Sequence, residues 1–264
     1  MNIGIVGCGN LGTAILDGIR KAHPNARIVA SKRSWQGKLA KDENTIYTES
    51  NIELIQKSDL LFITLKPYNV LSFLHDHREL LDPRRHTLVS AASSITLREM
   101  TDSCGKEIDI WRIMPNTAST VNESITAVSI GADRLKRKDE LLGILNLFGE
   151  TVIIDESLME SATILGACGI AYVLRFMRAM IQGGVEVGFD VTTATKIVSQ
   201  TVKGAAELII QNNTHPEQEI DRVTTPKGCT IVGLNEMEHS GFSSALIKGI
   251  VTSFDKIAKE QKKQ

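Results

Sequence analysis

The sequence predicts an α/β protein in two parts: an N-terminal doubly wound, mostly parallel sheet, followed by an all-α region. Three observations predict it. From residue 1 to about residue 156, short runs rich in Val, Ile and Leu alternate with helical patterns, as successive βαβ units do. A Gly-x-Gly-x-x-Gly loop joins the first run to the first helix. After about residue 157 the short runs stop and long apolar helical patterns take over. The expected domains are therefore 1–156 and 157–264.

The elements follow in order. Residues 2–6 form an apolar run, the pattern of a strand covered on both faces. A helix should run from the glycine loop to about residue 21. Further strands are expected over 27–31, 45–47, 60–65, 87–91, 108–113, 126–130 and 151–154. Beyond them, helices are expected over 162–188, 191–212 and 231–260, with breaks at 212–216 and 224–228 where Asn, Pro and Gly interrupt the pattern. Phe176, Met177 and Met180 lie at helical spacing and are expected in the core. Helices this apolar must bury a face against something large, such as a second subunit. Residues 256–264 are polar and charged, as at a solvated helix end.

Composition excludes several functions. With 264 residues, 42% of them hydrophobic, the chain can bury a sizeable core. Its formal net charge of −1, with acids and bases interspersed, lacks the basic face of a nucleic-acid binder. Cys8, Cys104, Cys168 and Cys229 match no CxxC or metal-ligand spacing and read as reduced thiols. No metal site is expected. No charged leader precedes the first strand, and no uncharged apolar run approaches the roughly 20 residues of a membrane span. The expectation is a cytoplasmic protein with no membrane partner.

Gly7-Cys8-Gly9-Asn10-Leu11-Gly12 follows a strand and opens a helix. Gly7 permits the tight turn, Gly9 lets the backbone approach a pyrophosphate, and Gly12 lets helix and strand pack closely. This context makes the sheet a Rossmann-type dinucleotide-binding domain. An NAD enzyme usually places an acid at the end of the second strand for the ribose hydroxyls. Here the segment reads Ala30-Ser31-Lys32-Arg33-Ser34. Two cations and two hydroxyls suit a 2′-phosphate, so NADPH is the expected cofactor, with NADH possible. Further cofactor contacts are expected at the carboxyl ends of later strands, from Lys66, Pro67 and Ala92. Asn51 either caps a helix or touches the adenosine half.

The second grip lies late in the chain. Residues 221–234 carry hydroxyls, Pro and Gly straight into an apolar helical pattern. Free N–H groups, the hydroxyls and the positive end of a helix dipole can converge there on a small anion. A dinucleotide grip and an anion grip together point to a reductase of a small carboxylate. Thr230 is of a type favoured as a helix N-terminal cap, a role that can coexist with one at the substrate. His215, before Pro216, is expected to shape a turn, and Cys168 and Cys229 lack cues for thiolate activation.

The chain also resembles a known family, pyrroline-5-carboxylate reductase. The shared features are the 7–12 loop, Leu65-Lys66-Pro67, Arg112-Ile-Met-Pro-Asn-Thr117, and a C-terminal block. That block comprises Gln200-Thr201, Gly204-Ala205-Ala206, His215-Pro216, residues 221–230, Gly233-Leu234, Glu238 and Gly241. The resemblance implies a Rossmann domain joined to a helical dimerisation domain, a homodimer or a larger assembly of dimers, and an active site shared between subunits. It implies NAD(P)H-dependent reduction of the cyclic imine 1-pyrroline-5-carboxylate to L-proline. Pro115 and Asn116 would contact the cofactor. Thr224, Thr225, Lys227, Gly228, Cys229 and Thr230 would hold the substrate, with Thr230 nearest the imine.

The chain departs from the family pattern at several positions. Ile170 stands for Pro in the family's Ser-Gly-Pro-Ala-Tyr motif, where Cys168 begins the matching run to Tyr172. Arg178 replaces an acid, Lys227 a Gly, Cys229 a Thr or Ala, Ser94 and Ser124 two glycines, and Ala118 a Pro. Lys at a position needing positive φ would carry strain. Two other readings therefore stand beside the first: a paralogue acting on another small imine or keto acid, and a non-catalytic NADP-binding regulatory protein. Hydroxyacid dehydrogenases of similar plan rely on a Lys-x-x-x-Asn motif, and residues 167–183 contain no Lys.

Overall fold

The computed structural model describes residues 1–35 and 43–261, so the last three residues of the expected charged helix end lie outside it. Backbone contacts divide the described residues into two compact units. One is drawn from Met1–Cys168 and Lys256–Gln264, the other is Gly169–Asp255.

The first unit is built on one sheet of eight described strands: β1 Ile3–Val6, β2 Ile28–Ser31, β3 Thr45–Thr48, β4 Leu60–Ile63, β5 Thr87–Ser90, β6 Asp109–Met114, β7 Ser124–Ile130 and β8 Gly149–Ile153. Every strand expected from the sequence is present. Their order is β3-β2-β1-β4-β5-β6-β7-β8. Strands β1 to β6 run parallel, with Ile3 level with both Ile28 and Leu60. Only the β6–β7 pairing is antiparallel, with Trp111 opposite Ile130. The helices of this unit are α1 Asn10–Ala22, α2 Asn51–Lys57, α3 Val70–His77, α4 Leu97–Cys104, α5 Lys138–Leu145 and the short α6 Met159–Ala162.

Burial explains the continuous apolar runs. Ile5, Ile19, Phe62, Trp111 and Phe148 lie in one core on one face of the sheet. Val6, Ile55, Leu61, Ile63, Leu74 and Leu88 lie in a second core on the other face. A strand covered on both sides has no solvent-facing positions to alternate with polar residues. After α6 the chain makes a π-helical turn, Thr163–Cys168, with an extra residue in its hydrogen-bonded loop.

Buried His86 gives this unit a pH dependence. Its Nδ1 accepts the Asp82 N–H at 2.8 Å, which leaves Nε2 to donate to the Ile55 carbonyl at 3.2 Å. Burial, the largest influence, holds the imidazole below its usual value of 6.5, although the Ile55 carbonyl pulls upward. The unfolded chain binds this proton more readily than the native one. Stability is therefore complete above pH 6.5 and falls as pH drops from there toward the lowered native value. In thermal melts, His86→Gln should flatten that limb of the Tm–pH curve. An unaltered limb would assign the acid sensitivity elsewhere.

The second unit is helical: α7 Gly169–Glu186, α8 Val191–Asn212, α9 Pro216–Val223, α10 Cys229–His239 and α11 Phe242–Gln261. The helix expected over 231–260 is thus two helices, because Gly241 takes φ +80° and turns the chain between them. A further helix, α9, occupies the stretch between the two expected breaks. His215 caps it, its ring accepting the Glu217 N–H at 3.3 Å. The core expected around Phe176, Met177 and Met180 does not form within the single chain, because α7 has no buried residue. Phe176 meets Phe242 at 6.0 Å between ring centroids, yet both remain substantially exposed. In α8 only Ala194 and Val198 are buried. The helices leave Leu174, Ile197, Val232, Leu246 and Val251 in solvent.

Candidate active site

The dinucleotide loop forms at the carboxyl end of β1. Gly7 adopts φ +87°, and the N–H groups of Gly7 and Cys8 both donate to the Ser31 carbonyl, at 3.0 and 2.8 Å. This ties the loop to the tip of β2. A Cβ on Gly12 would lie 2.7 Å from Thr64 Oγ1 and 2.9 Å from the Gly7 carbonyl, so close packing excludes a side chain there. Around Gly9 the space is open, the nearest atom to an added Cβ being 3.9 Å away. Gly9 also ends the chain's entry into α1 without any side-chain cap. Unused N–H groups at an uncapped helix start fit a pyrophosphate, with Asn10 exposed and Leu11 half-buried beside them. Cys8 points into the core, and burial pushes its thiol up to about 11.

At the end of β2, Ser31 Oγ donates to Asn51 Oδ1 at 2.8 Å. Asn51 is the first residue of α2, not its cap. Ser50 takes that role by accepting the Glu53 N–H at 3.2 Å. The capping alternative for Asn51 is thereby removed. Lys32 and Arg33 are exposed, with Lys32 Nζ 5.8 Å from the centre of the Trp35 ring. Trp35 is fixed by its Nε1 bond to the Thr48 carbonyl at 3.1 Å and by edge contact with Tyr47. Sequence reasoning missed this aromatic, which lies four residues past the strand in a segment without periodicity.

The later strand ends supply the remaining positions. Lys66 is exposed, Pro67 opens a 3-10 turn, and Ala92 is buried with its N–H on Ser90 Oγ at 3.3 Å. Pro115 and Asn116 follow β6. A cavity of about 230 Å3 lies between α1 and this loop, lined by Asn10, Leu11, Ala14, Pro115, Asn116, Thr117, Ser119, Thr120 and Ala167. The structure thus gathers four of the expected cofactor residues, Asn10, Leu11, Pro115 and Asn116, around one cavity. It places Ser31, Lys32, Arg33 and Asn51 together at the β2 end.

A buried ion cluster roots the helical segment that borders this cavity. Arg112 of β6 is 2% exposed and donates from Nη1 to Glu156 at 2.9 Å and from Nη2 to Glu160 at 3.2 Å. Glu156 Oε1 also accepts the Leu97 N–H at 2.6 Å.

The anion loop forms in the helical unit by itself. Thr224 closes α9, its hydroxyl donating to the Ile220 carbonyl at 2.7 Å. Gly228 turns back on Thr225, its N–H donating to the Thr225 carbonyl at 2.9 Å. Gly228 is also the cap residue of α10, and no side chain caps that helix. The capping role for Thr230 is therefore ruled out: it is the second helical residue, and its hydroxyl has no partner among the described residues. Lys227 takes φ +61°, the left-handed conformation that a glycine would hold without cost. Its ammonium is exposed, and so is Cys229. The loop thus presents an uncapped helix start, a free hydroxyl and a cation, a set suited to a small carboxylate.

Comparison with known proteins gives this arrangement a family. Residues 156–260 match the family model for pyrroline-5-carboxylate reductase dimerisation. Residues 2–94 match the model described as NADP oxidoreductase, coenzyme F420-dependent. The chain is 39% identical to pyrroline-5-carboxylate reductase 1 of Dictyostelium discoideum over 97% of its own length, but spans only 49% of that longer protein. It is 37% identical to reductase 2 of the same organism, covering 98% of this chain and 93% of that one. With the Escherichia coli enzyme it shares 30% identity across 98% of both chains. Among solved structures, the Plasmodium falciparum pyrroline carboxylate reductase with NADP bound superposes with a TM-score of 0.86 at 25% identity, over 97% of each chain. The Streptococcus pyogenes enzyme gives 0.83 at 27%, over 97% of this chain and 98% of that one. A Rossmann-type sheet with an open pyrophosphate cradle, a helical region with the dimerisation sequence, and these full-length likenesses agree: the chain belongs to the pyrroline-5-carboxylate reductase family.

Proposed function

We propose that the protein reduces 1-pyrroline-5-carboxylate to L-proline with NADPH, the closing step of proline synthesis. The observation that carries this reading is the loop at 224–230, an anion grip with a free hydroxyl, in a chain whose other unit cradles a dinucleotide. Bound NADPH supplies the hydride for the imine carbon. The chain's own residues position and polarise. The open start of α1 takes the pyrophosphate, while Lys32, Arg33 and Asn51 face the 2′-phosphate end. The first N–H groups of α10, at Cys229 and Thr230, take the substrate carboxylate, with Thr224, Thr225 and the Lys227 ammonium around it. Cys229 contributes its N–H rather than its thiol. The Thr230 hydroxyl hydrogen-bonds the ring nitrogen. Since the protonated imine is already electrophilic, alignment and water exclusion carry the rate, and the nitrogen keeps its proton as the amine of proline.

We further propose that the exposed apolar faces of α7, α8, α10 and α11 pair with those of a second copy, in a homodimer or a larger assembly of dimers, so that one subunit's α10 serves the other's cofactor. Within the helical run Glu156–Glu186 an 18-residue stretch has a mean hydropathy of 1.6, apolar enough for a membrane-crossing helix. Arg175 and Arg178 within it are better placed along a subunit seam than in lipid. The functional boundary is put at about 156/157, a reading supported by the dimerisation match over residues 156–260, and the setting is cytoplasmic and soluble.

The test follows nicotinamide absorbance while purified protein is given NADPH and pyrroline-5-carboxylate. Oxidation of NADPH with formation of proline is expected. Retained NADPH binding without turnover would sink this reading in favour of another substrate or a regulatory role. Cofactor choice is tested by Lys32→Glu with Arg33→Glu, which should weaken NADPH relative to NADH on the order of 10-fold or more by removing charge-assisted contacts. Equal weakening of both cofactors would refute the 2′-phosphate assignment.

A further inference from the structure

Asn116 is 8% exposed, and its polar groups tie three separate segments together. Its N–H donates to Ser124 Oγ at 3.0 Å, its Oδ1 accepts the Ala118 N–H at 2.9 Å, and its Nδ2 donates to the Gly166 carbonyl at 3.2 Å. The first bond reaches the start of β7, through a hydroxyl that stands where the family usually has glycine. The second closes the 3-10 turn Thr117–Val121. The third reaches into the π-helical turn Thr163–Cys168. Such turns interrupt the regular helical ladder and cluster at functional sites, so an outside donor to one of their carbonyls helps fix their shape. Ala167, the next residue, forms a wall of the 230 Å3 cavity opposite Asn10 and Leu11.

The topology says which part of the cofactor meets that cavity. Lys32 and Arg33 at the end of β2 mark the 2′-phosphate end, and the pyrophosphate belongs at the start of α1. Because β2 lies on one side of β1 while β4, β5 and β6 lie on the other, the remaining end of a dinucleotide extends toward the loop after β6. The cavity offers Leu11, Ala14, Pro115 and Ala167 as apolar walls and no charged group, as an uncharged flat ring requires.

We propose that Asn116 is a positioning residue: its Nδ2 holds the π-helical turn so that Ala167 and the loop after β6 form the seat of the nicotinamide ring. This rests on the dinucleotide reading of residues 7–12. The discriminating variant is Asn116→Asp, which keeps the acceptor for the Ala118 N–H but replaces the donor to the Gly166 carbonyl with a repelling oxygen. It should lower kcat on the order of 10²-fold through ring misplacement. It should also change the fluorescence of bound NADPH, which reports the surroundings of the reduced ring. Binding of 2′-phosphoadenosine diphosphate ribose, which lacks that ring, should stay as in the wild type. If Asn116 merely closes its 3-10 turn, Asp serves equally well; wild-type kcat and NADPH emission would then overturn the proposal. Ala167→Leu supplies an independent arm should the Asp variant not fold. It narrows the cavity from the opposite wall and should shift NADPH emission while sparing the ringless probe, and unchanged emission would overturn the seat. Wild-type protein that binds neither NADPH nor the probe would overturn the dinucleotide reading and this inference with it. Binding of both, with variants that match wild type, would overturn this inference alone.

Discussion

Arg112→Met should destabilise the protein by about 3–5 kcal/mol, the usual cost of removing one partner from a buried ion pair. At the sensitivity of a chain this size that is a fall in Tm of roughly 6–20 °C. Arg112 is 2% exposed, whereas Glu156 and Glu160 are 31% and 15% exposed. Methionine fills similar volume, so packing is largely kept and the loss comes from Glu156 and Glu160 losing the Arg112 guanidinium. Partial exposure lets Glu156 recover some hydration, which favours the lower end of the range. The cluster is not an ideal one, because Arg112 Nε is buried without a hydrogen-bond partner among the described residues. Converting Glu156 and Glu160 to Gln in the Met background should therefore restore much of the stability, since the cost lies in stranded charge. A single-variant loss below about 1 kcal/mol would place the cluster with ordinary surface pairs.

Thr230→Ala should lower kcat on the order of 10²-fold, the usual scale when a contact that aligns the reacting atoms is lost. NADPH affinity and Tm should scarcely move. The stability part follows from the geometry: Gly228 caps α10, and the Thr230 hydroxyl bonds to nothing else in the described chain. Its removal therefore strands no partner. Thr230→Ser keeps the hydroxyl and should recover most of the rate. Equal losses in kcat and NADPH affinity, or a large drop in Tm, would assign Thr230 to the scaffold.

The sheet was legible because its strands are buried on both faces: a continuous run such as Ile-Gly-Ile-Val, too short for a helix and closed by a glycine turn, reads as a strand. The positive φ inferred at Lys227 was also legible, through the glycine that the family places there, and Ser94 at φ +62° repeats the case. Capping was harder to read. Asn51 and Thr230 are both good cap types, yet Ser50 and Gly228 hold the cap positions, because a shift of one or two residues in a helix start leaves almost no trace in composition. The Arg112 cluster was invisible for another reason. Its carboxylates lie 44 and 48 residues away in sequence, and periodicity reports only neighbours on one element. The core expected in α7 was misjudged because an apolar helical stripe looks the same whether its cover comes from the same chain or from another copy.

That uncovered stripe makes dilution a denaturant. If the helices are completed only by a second copy, the free energy of the helical unit contains an association step, and its melting temperature must rise with protein concentration by mass action. The sheet unit, whose two cores close within the chain, depends far less on concentration. A scarce protein and an abundant one of identical sequence would then differ in how much of the population is folded, and the abundance of the chain becomes one of the terms that sets its stability.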